Sequence, residues 1–179
     1  MRTTWERCKR IAAAMSGIPG YSQCPPILID YPFAERLYPR AMDVIRHLST
    51  LGLAVILSDG DVVFQPRKVE RSGLWSAVEG RVLIYLHKET MLDVVAAKFP
   101  ARHYVMVDDK LRLLTMMKHE WRDRLTTVFP RQGHYASDPE ILATYPSADL
   151  AVDRISDLIA YERSAFLDAA MVRGLQEEQ

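Results

Sequence analysis

The 179-residue sequence has no excess of either charge: 23 Lys and Arg balance 23 Asp and Glu, a formal net charge of +0. That balance argues against a nucleic-acid binder, because such domains carry a basic excess or patch. No apolar run approaches the roughly 18–20 residues that span a bilayer, so no transmembrane segment or membrane partner is expected. The first eleven residues include Arg2, Glu6, Arg7, Lys9 and Arg10 and lack an apolar core. No signal peptide is therefore expected, and the reading is of a cytoplasmic protein. Cysteine is scarce, and Cys8 and Cys24 are expected as two free thiols in that compartment. His103, His119 and His134 show no metal-ligand spacing and read as surface or loop residues. There is no internal repeat and no low-complexity tract.

What is present is ordinary globular composition, 49% hydrophobic and 26% charged, enough for a compact core. From Tyr38 onward helix-like and strand-like segments alternate. Residues 39–51 place Ala41, Val44, Ile45 and Leu48 at helical spacing, with Pro39 in the first turn and Gly52 at the end. Residues 53–57 form a short apolar run that predicts a fully buried strand, stopped by Ser58-Asp59-Gly60. Further strands are predicted over 82–86, 104–107, 125–129 and 149–152, and helices over 89–98, 111–121 and 153–172. Met116, Met117 and Trp121 lie on the 111–121 helix and read as core. Strands alternating with helices of this length predict an α/β fold, an open parallel sheet with flanking helices. Residues 1–37 stand apart, a helical piece over 2–15 and a linker rich in Pro and Gly. The expected division is 1–37 and 38–179.

In an open parallel sheet, ligands bind beyond the carboxyl ends of the strands. The first strand delivers Ser58, Asp59, Gly60 and Asp61 there, the second His87, Lys88 and Glu89, the third Asp108, Asp109 and Lys110. Adjacent carboxylates repel unless a cation lies between them, and paired oxygen ligands suit Mg²⁺. A hydroxyl and an ammonium suit the oxygens of a phosphoryl group. Each residue also has a simpler reading. Ser58-Asp59-Gly60 can be a turn with a helix cap, Lys88 a solvated lysine, Asp109 a cap for the next helix. The segment from Arg131 to Tyr135 follows the fourth strand and reads as a loop that could touch substrate.

The three strand ends together resemble the haloacid dehalogenase superfamily, whose members are mostly Mg²⁺-dependent phosphatases with a Rossmann-like core. Ala54-Val55-Ile56-Leu57-Ser58 is similar to the family's strand ending in Ser or Thr. Lys88 in Tyr85-Leu86-His87-Lys88 is similar to its lone lysine, and Val105-Met106-Val107-Asp108-Asp109 to its strand ending in two aspartates. The resemblance covers about 38–152. It implies that Ser58 binds a phosphoryl oxygen, with backbone N–H groups of Asp59 or Gly60 assisting. It implies that Lys88 neutralises charge on the nucleophile and phosphoryl group, and that Asp108, with Asp109, holds Mg²⁺. The implied catalytic residues are thus Ser58, Lys88 and Asp108, and the implied substrate is a small phosphorylated metabolite.

The family's remaining motif, Asp-x-Asp on its first strand, supplies an aspartate nucleophile that forms an aspartyl-phosphate. Asp30 follows Ile27-Leu28-Ile29 but precedes Tyr31-Pro32, so the second aspartate is absent. Asp59-Gly60-Asp61 has the right letters, yet only one strand separates it from Lys88. The expectation is that the nucleophile strand is missing, that 1–37 is the remnant of a helical cap, and that an open sheet edge favours homo-oligomers. Two alternatives stay open. One is a relative that binds Mg²⁺ or phosphate without turnover. The other is a receiver-like signalling domain, where the acidic pair lies near the start of the domain rather than late.

Overall fold

A computed structural model describes residues 31–61 and 63–177, with side chains as far as Met171. The expected helix over 2–15, Cys8, Cys24 and Asp30 lie outside the described residues. The chain packs as two compact units, residues 1–37 with 54–88, and residues 38–53 with 89–179. Among the described residues no helix is long and apolar enough to cross a membrane.

In the first unit a 3-10 turn, Phe33–Arg36, precedes strand β1, Ile56–Asp59. Helices α2 (Phe64–Arg71) and α3 (Leu74–Ala77) then lead to strand β2, Val82–Tyr85. Helix α1, Ala41–Leu51, lies between the 3-10 turn and β1 in sequence but packs in the second unit. β1 and β2 pair in parallel, with Ile56 opposite Val82 and Asp59 opposite Tyr85. Pro66 sits in the first turn of α2, where its missing N–H costs nothing. Val69, Val78 and Leu83 form the buried apolar positions. The strand expected over 53–57 is displaced toward its carboxyl end. β2 begins at Val82, so the ladder begins at Ile56, and Leu53 is left 63% exposed. All four β1 residues are half-buried rather than fully buried, and among the described residues the strand pairs with β2 alone. Ser58 and Asp59 thus belong to the strand and not to the turn after it.

In the second unit α1 opens after Arg40, whose φ of 62° is left-handed, and ends at Gly52 in extended conformation. Helices α4 (Leu92–Lys98), α5 (Leu111–Trp121), α6 (Pro139–Thr144) and α7 (Arg163–Glu177) alternate with strands β3 (Tyr104–Val107), β4 (Leu125–Pro130) and β5 (Leu150–Val152). All pairing is parallel in the order β3-β4-β5, so β4 is central, and each of its six residues is buried. The expected single sheet is therefore present as two parallel sheets, one in each unit. On one side Val44, Val128, Val152, Leu158 and Phe166 pack together; on the other Leu111, Leu114, Phe129 and Ala136 do so. Met117 and Trp121 are core as expected, but Met116 is 42% exposed on the outer face of α5.

The helix expected over 153–172 is broken. Ile155–Ala160 is a 3-10 helix, Tyr161 is extended, and α7 starts at Arg163. The break turns the Tyr161 ring toward Phe166 at 5.7 Å between centroids and leaves the Tyr161 carbonyl to His47 Nε2 at 2.9 Å. Packing of Leu158 and Phe166 against the sheet outweighs helical continuity.

A buried carboxylate ties this sheet together. Asp149 Oδ2 accepts from the Thr127 N–H at 2.7 Å, from Thr127 Oγ1 at 2.9 Å and from Lys118 Nζ at 3.0 Å. Lys118 Nζ also donates to the Leu125 carbonyl at 2.7 Å. Nearby, His103 Nε2 lies 2.7 Å from Thr126 Oγ1, whose own proton goes to the Phe166 carbonyl. Thr126 is therefore the acceptor, and His103 carries its proton on Nε2. Burial, and then the Lys118 charge, hold this imidazole below its ordinary pKa. Asp149→Ala is expected to lower unfolding stability by about 2–3 kcal/mol, since it removes the acceptor of the Thr127 N–H and hydroxyl and leaves a part-buried ammonium without its carboxylate. Urea unfolding measures this, and a loss below about 1 kcal/mol would refute the role of the pair.

Candidate functional site

The carboxyl end of β1 is stitched to that of β2. Asp59 Oδ1 accepts from the Lys88 N–H at 2.9 Å, and the Gly60 N–H donates to the Tyr85 carbonyl at 2.9 Å. The Gly60 N–H thus extends the ladder. Asp61 Oδ1 takes the N–H groups of Val63 and Phe64 at 2.9 and 2.8 Å, so the cap at the start of α2 is Asp61 and not Ser58 or Asp59.

Ser58 Oγ accepts from Gln65 Nε2 at 2.8 Å and donates to the Asp59 carbonyl at 3.3 Å. The first bond is good; the second is long for a hydroxyl donor, whose usual range ends near about 3.0 Å. The hydroxyl is held by its lone pair while its proton is weakly engaged. That arrangement suits donation to an incoming anion. Gln65 has no signature in sequence beyond being polar and in the first turn of the helix after the strand.

Lys88 is 5% exposed, far from the solvated lysine of the simpler reading. It opens a short 3-10 turn, Lys88–Thr90, that replaces the first part of the helix expected over 89–98. Its Nζ lies 3.4 Å from the Leu57 carbonyl. A buried ammonium needs oxygen around it, and it attracts anions far more strongly than a hydrated one does. Ser58, Asp59, Gly60 and Lys88 are thereby brought together at one strand edge of the first unit.

Asp108 and Asp109 stand at the end of β3 in the second unit. The Asp108 N–H donates to the Val128 carbonyl at 3.2 Å, and Asp108 Oδ1 accepts from the Lys110 N–H at 2.9 Å. The loop after β4 comes to this edge. A Cβ on Gly133 would lie 2.8 Å from Asp109 Oδ2 and 3.1 Å from the Tyr38 hydroxyl. Lys110 Nζ sits 4.9 Å from the centre of the Tyr135 ring. Gly133, with φ of 89°, is thus both conformationally and sterically required. In sequence Gly133 is one residue of the Arg131–Tyr135 loop that could touch substrate, with nothing to mark its conformation. Among the described residues no three His, Cys, Asp or Glu side chains gather as a metal cage. Mg²⁺ needs no such cage, since it commonly takes one or two carboxylates and completes its shell with water and phosphate. Asp108 and Asp109 have the donor chemistry for that mode.

Two parallel sheets with flanking helices, one with Ser58 and a buried lysine at its strand ends and one with a carboxylate pair, define an α/β protein. The chain is similar to a crystal structure from Burkholderia xenovorans LB400 that carries the provisional description haloacid dehalogenase-like hydrolase. Identity is 64%, the TM-score is 0.75, and the match covers 77% of this chain and 63% of that one. No protein-family model matches the chain, and no curated protein does. The chain belongs to the haloacid dehalogenase superfamily, and it spans about 63% of the length of that neighbour.

Gly133→Ala is expected to cost about 1–3 kcal/mol, because it adds positive-φ strain to a clash with Asp109. Gly52→Ala is the internal control, since no atom lies within 4 Å of its added carbon. Equal thermal shifts for the two variants would contradict the cradle at Gly133.

Proposed function

We propose that the protein is a Mg²⁺-dependent hydrolase that removes phosphate from a small phosphorylated metabolite in the cytoplasm, by way of an aspartyl-phosphate whose aspartate lies outside the described residues. The observation that carries this reading is the buried Lys88 beside Ser58 and Asp59 at one strand edge. Ser58 Oγ donates to a phosphoryl oxygen while Gln65 fixes its orientation. Lys88 Nζ offsets the negative charge of the phosphoryl group, and does so strongly because water is excluded around it. Asp108 and Asp109 would hold Mg²⁺, an ion that supplies positive charge to its oxygen ligands.

A second reading is favoured by one specific observation. The Asp-x-Asp sequence at 59–61 has both carboxylates engaged, Asp59 with the Lys88 N–H and Asp61 at the start of α2. In this reading the chain binds phosphate and Mg²⁺ but forms no aspartyl-phosphate.

Under the first reading the protein hydrolyses a generic aryl phosphate with Mg²⁺ and stops when the ion is chelated. Ser58→Ala and Lys88→Met each lower kcat/KM by about 10²–10³-fold. Asp108→Ala removes the response to Mg²⁺. Phosphate binding without turnover selects the second reading. Turnover that is indifferent to all three substitutions would refute the site.

A further inference from the structure

A cavity of about 630 Å³ opens in the first unit, with Ser58 in its wall. This is the size of a small-molecule site. Among the described residues its charged lining is of one sign: Arg36 from the Phe33–Arg36 turn, and Arg67 and Lys68 from α2, with no carboxylate. None of these three forms an ion pair with a described residue. The apolar lining includes Tyr31, Phe33 and Phe64. Phe64 is 41% exposed, and the Arg36 guanidinium lies 5.8 Å from the centre of the Tyr31 ring.

Three cations around one cavity repel each other, and among the described lining residues no carboxylate offsets them. A guanidinium favours planar oxyanions, and exposed rings favour a flat apolar body. The cations arise from helical segments and the hydroxyl from a strand, so the two can serve different ends of one ligand. From these features we infer that the cavity takes the organic part of the substrate, and that this part is aromatic and itself negatively charged. The substrate class is an aryl phosphate ester bearing a second anionic group, a carboxylate or another phosphate. This rests on the reading of Ser58 as the phosphoryl donor.

The test is calorimetric titration of the full chain, with Mg²⁺, against phenyl phosphate, 4-carboxyphenyl phosphate and 1,4-phenylene bisphosphate. At least one doubly anionic ester is expected to bind about tenfold tighter than phenyl phosphate. The tighter of the two identifies the second group. Arg67→Gln combined with Lys68→Gln is expected to erase the advantage, and both residues are exposed, so folding is preserved. Equal binding of all three esters, an advantage retained in the double variant, or no binding of any ester overturns the inference. The phosphoryl reading fails separately, if phenyl phosphate binds Ser58→Ala as well as it binds the unaltered protein.

Discussion

Parallel strand pairing is the constraint on which the rest of this structure depends. A parallel neighbour can be reached only by crossing back, so each strand must be followed by a connection long enough to return. In both units that rule sends every strand in the same direction and collects the following loops at one end of the sheet. Ser58, Asp59 and Lys88 share an edge for this reason, and so do Asp109, Gly133 and Tyr135. The candidate site residues lie at the last positions of the ladder or just beyond them. Asp59 illustrates this, since its carboxylate takes the N–H of Lys88 at the end of the neighbouring strand.

The same constraint explains the charge placed inside the second unit. A central strand buried along its whole length leaves little room for water at its start. Asp149 and Lys118 satisfy the Thr127 and Leu125 backbone groups there instead. A neutral total charge thus conceals strong local charge: a part-buried ion pair beneath β4, an acidic pair at β3, and a cavity beside β1 whose described charged lining is cationic. None of these is visible in a net charge of +0.

Where local signals coincide, sequence reading places elements to the residue. Tyr104–Val107 and Leu111–Trp121 are flanked by sharp polar breaks at both ends, and both match expectation. Where a distant partner decides, it does not. The start of β1 is set by the register with Val82, which no periodicity within 53–57 encodes. The break at Tyr161 follows from what Leu158 and Phe166 bury. α2 carries no helical signal in sequence because half of its eight residues are charged and it contains Pro66, an ordinary first-turn residue that resembles a breaker. In the site, Ser58, Lys88 and the aspartate pair are legible as strand-end residues. Gln65 and Gly133 are not, since one acts only by holding Ser58 and the other by lacking a side chain beside Asp109.

The central claim is that Ser58 and the buried Lys88 form a site for a phosphoryl group. Titration with vanadate, which mimics the phosphoryl group in transfer, tests it most directly, followed by heteronuclear NMR of the Ser58–Gly60 and Lys88 amides. The account predicts saturable shifts at these amides, strengthened by Mg²⁺ and abolished by Lys88→Met. Shifts confined to other residues, or binding unchanged in Lys88→Met, would contradict it.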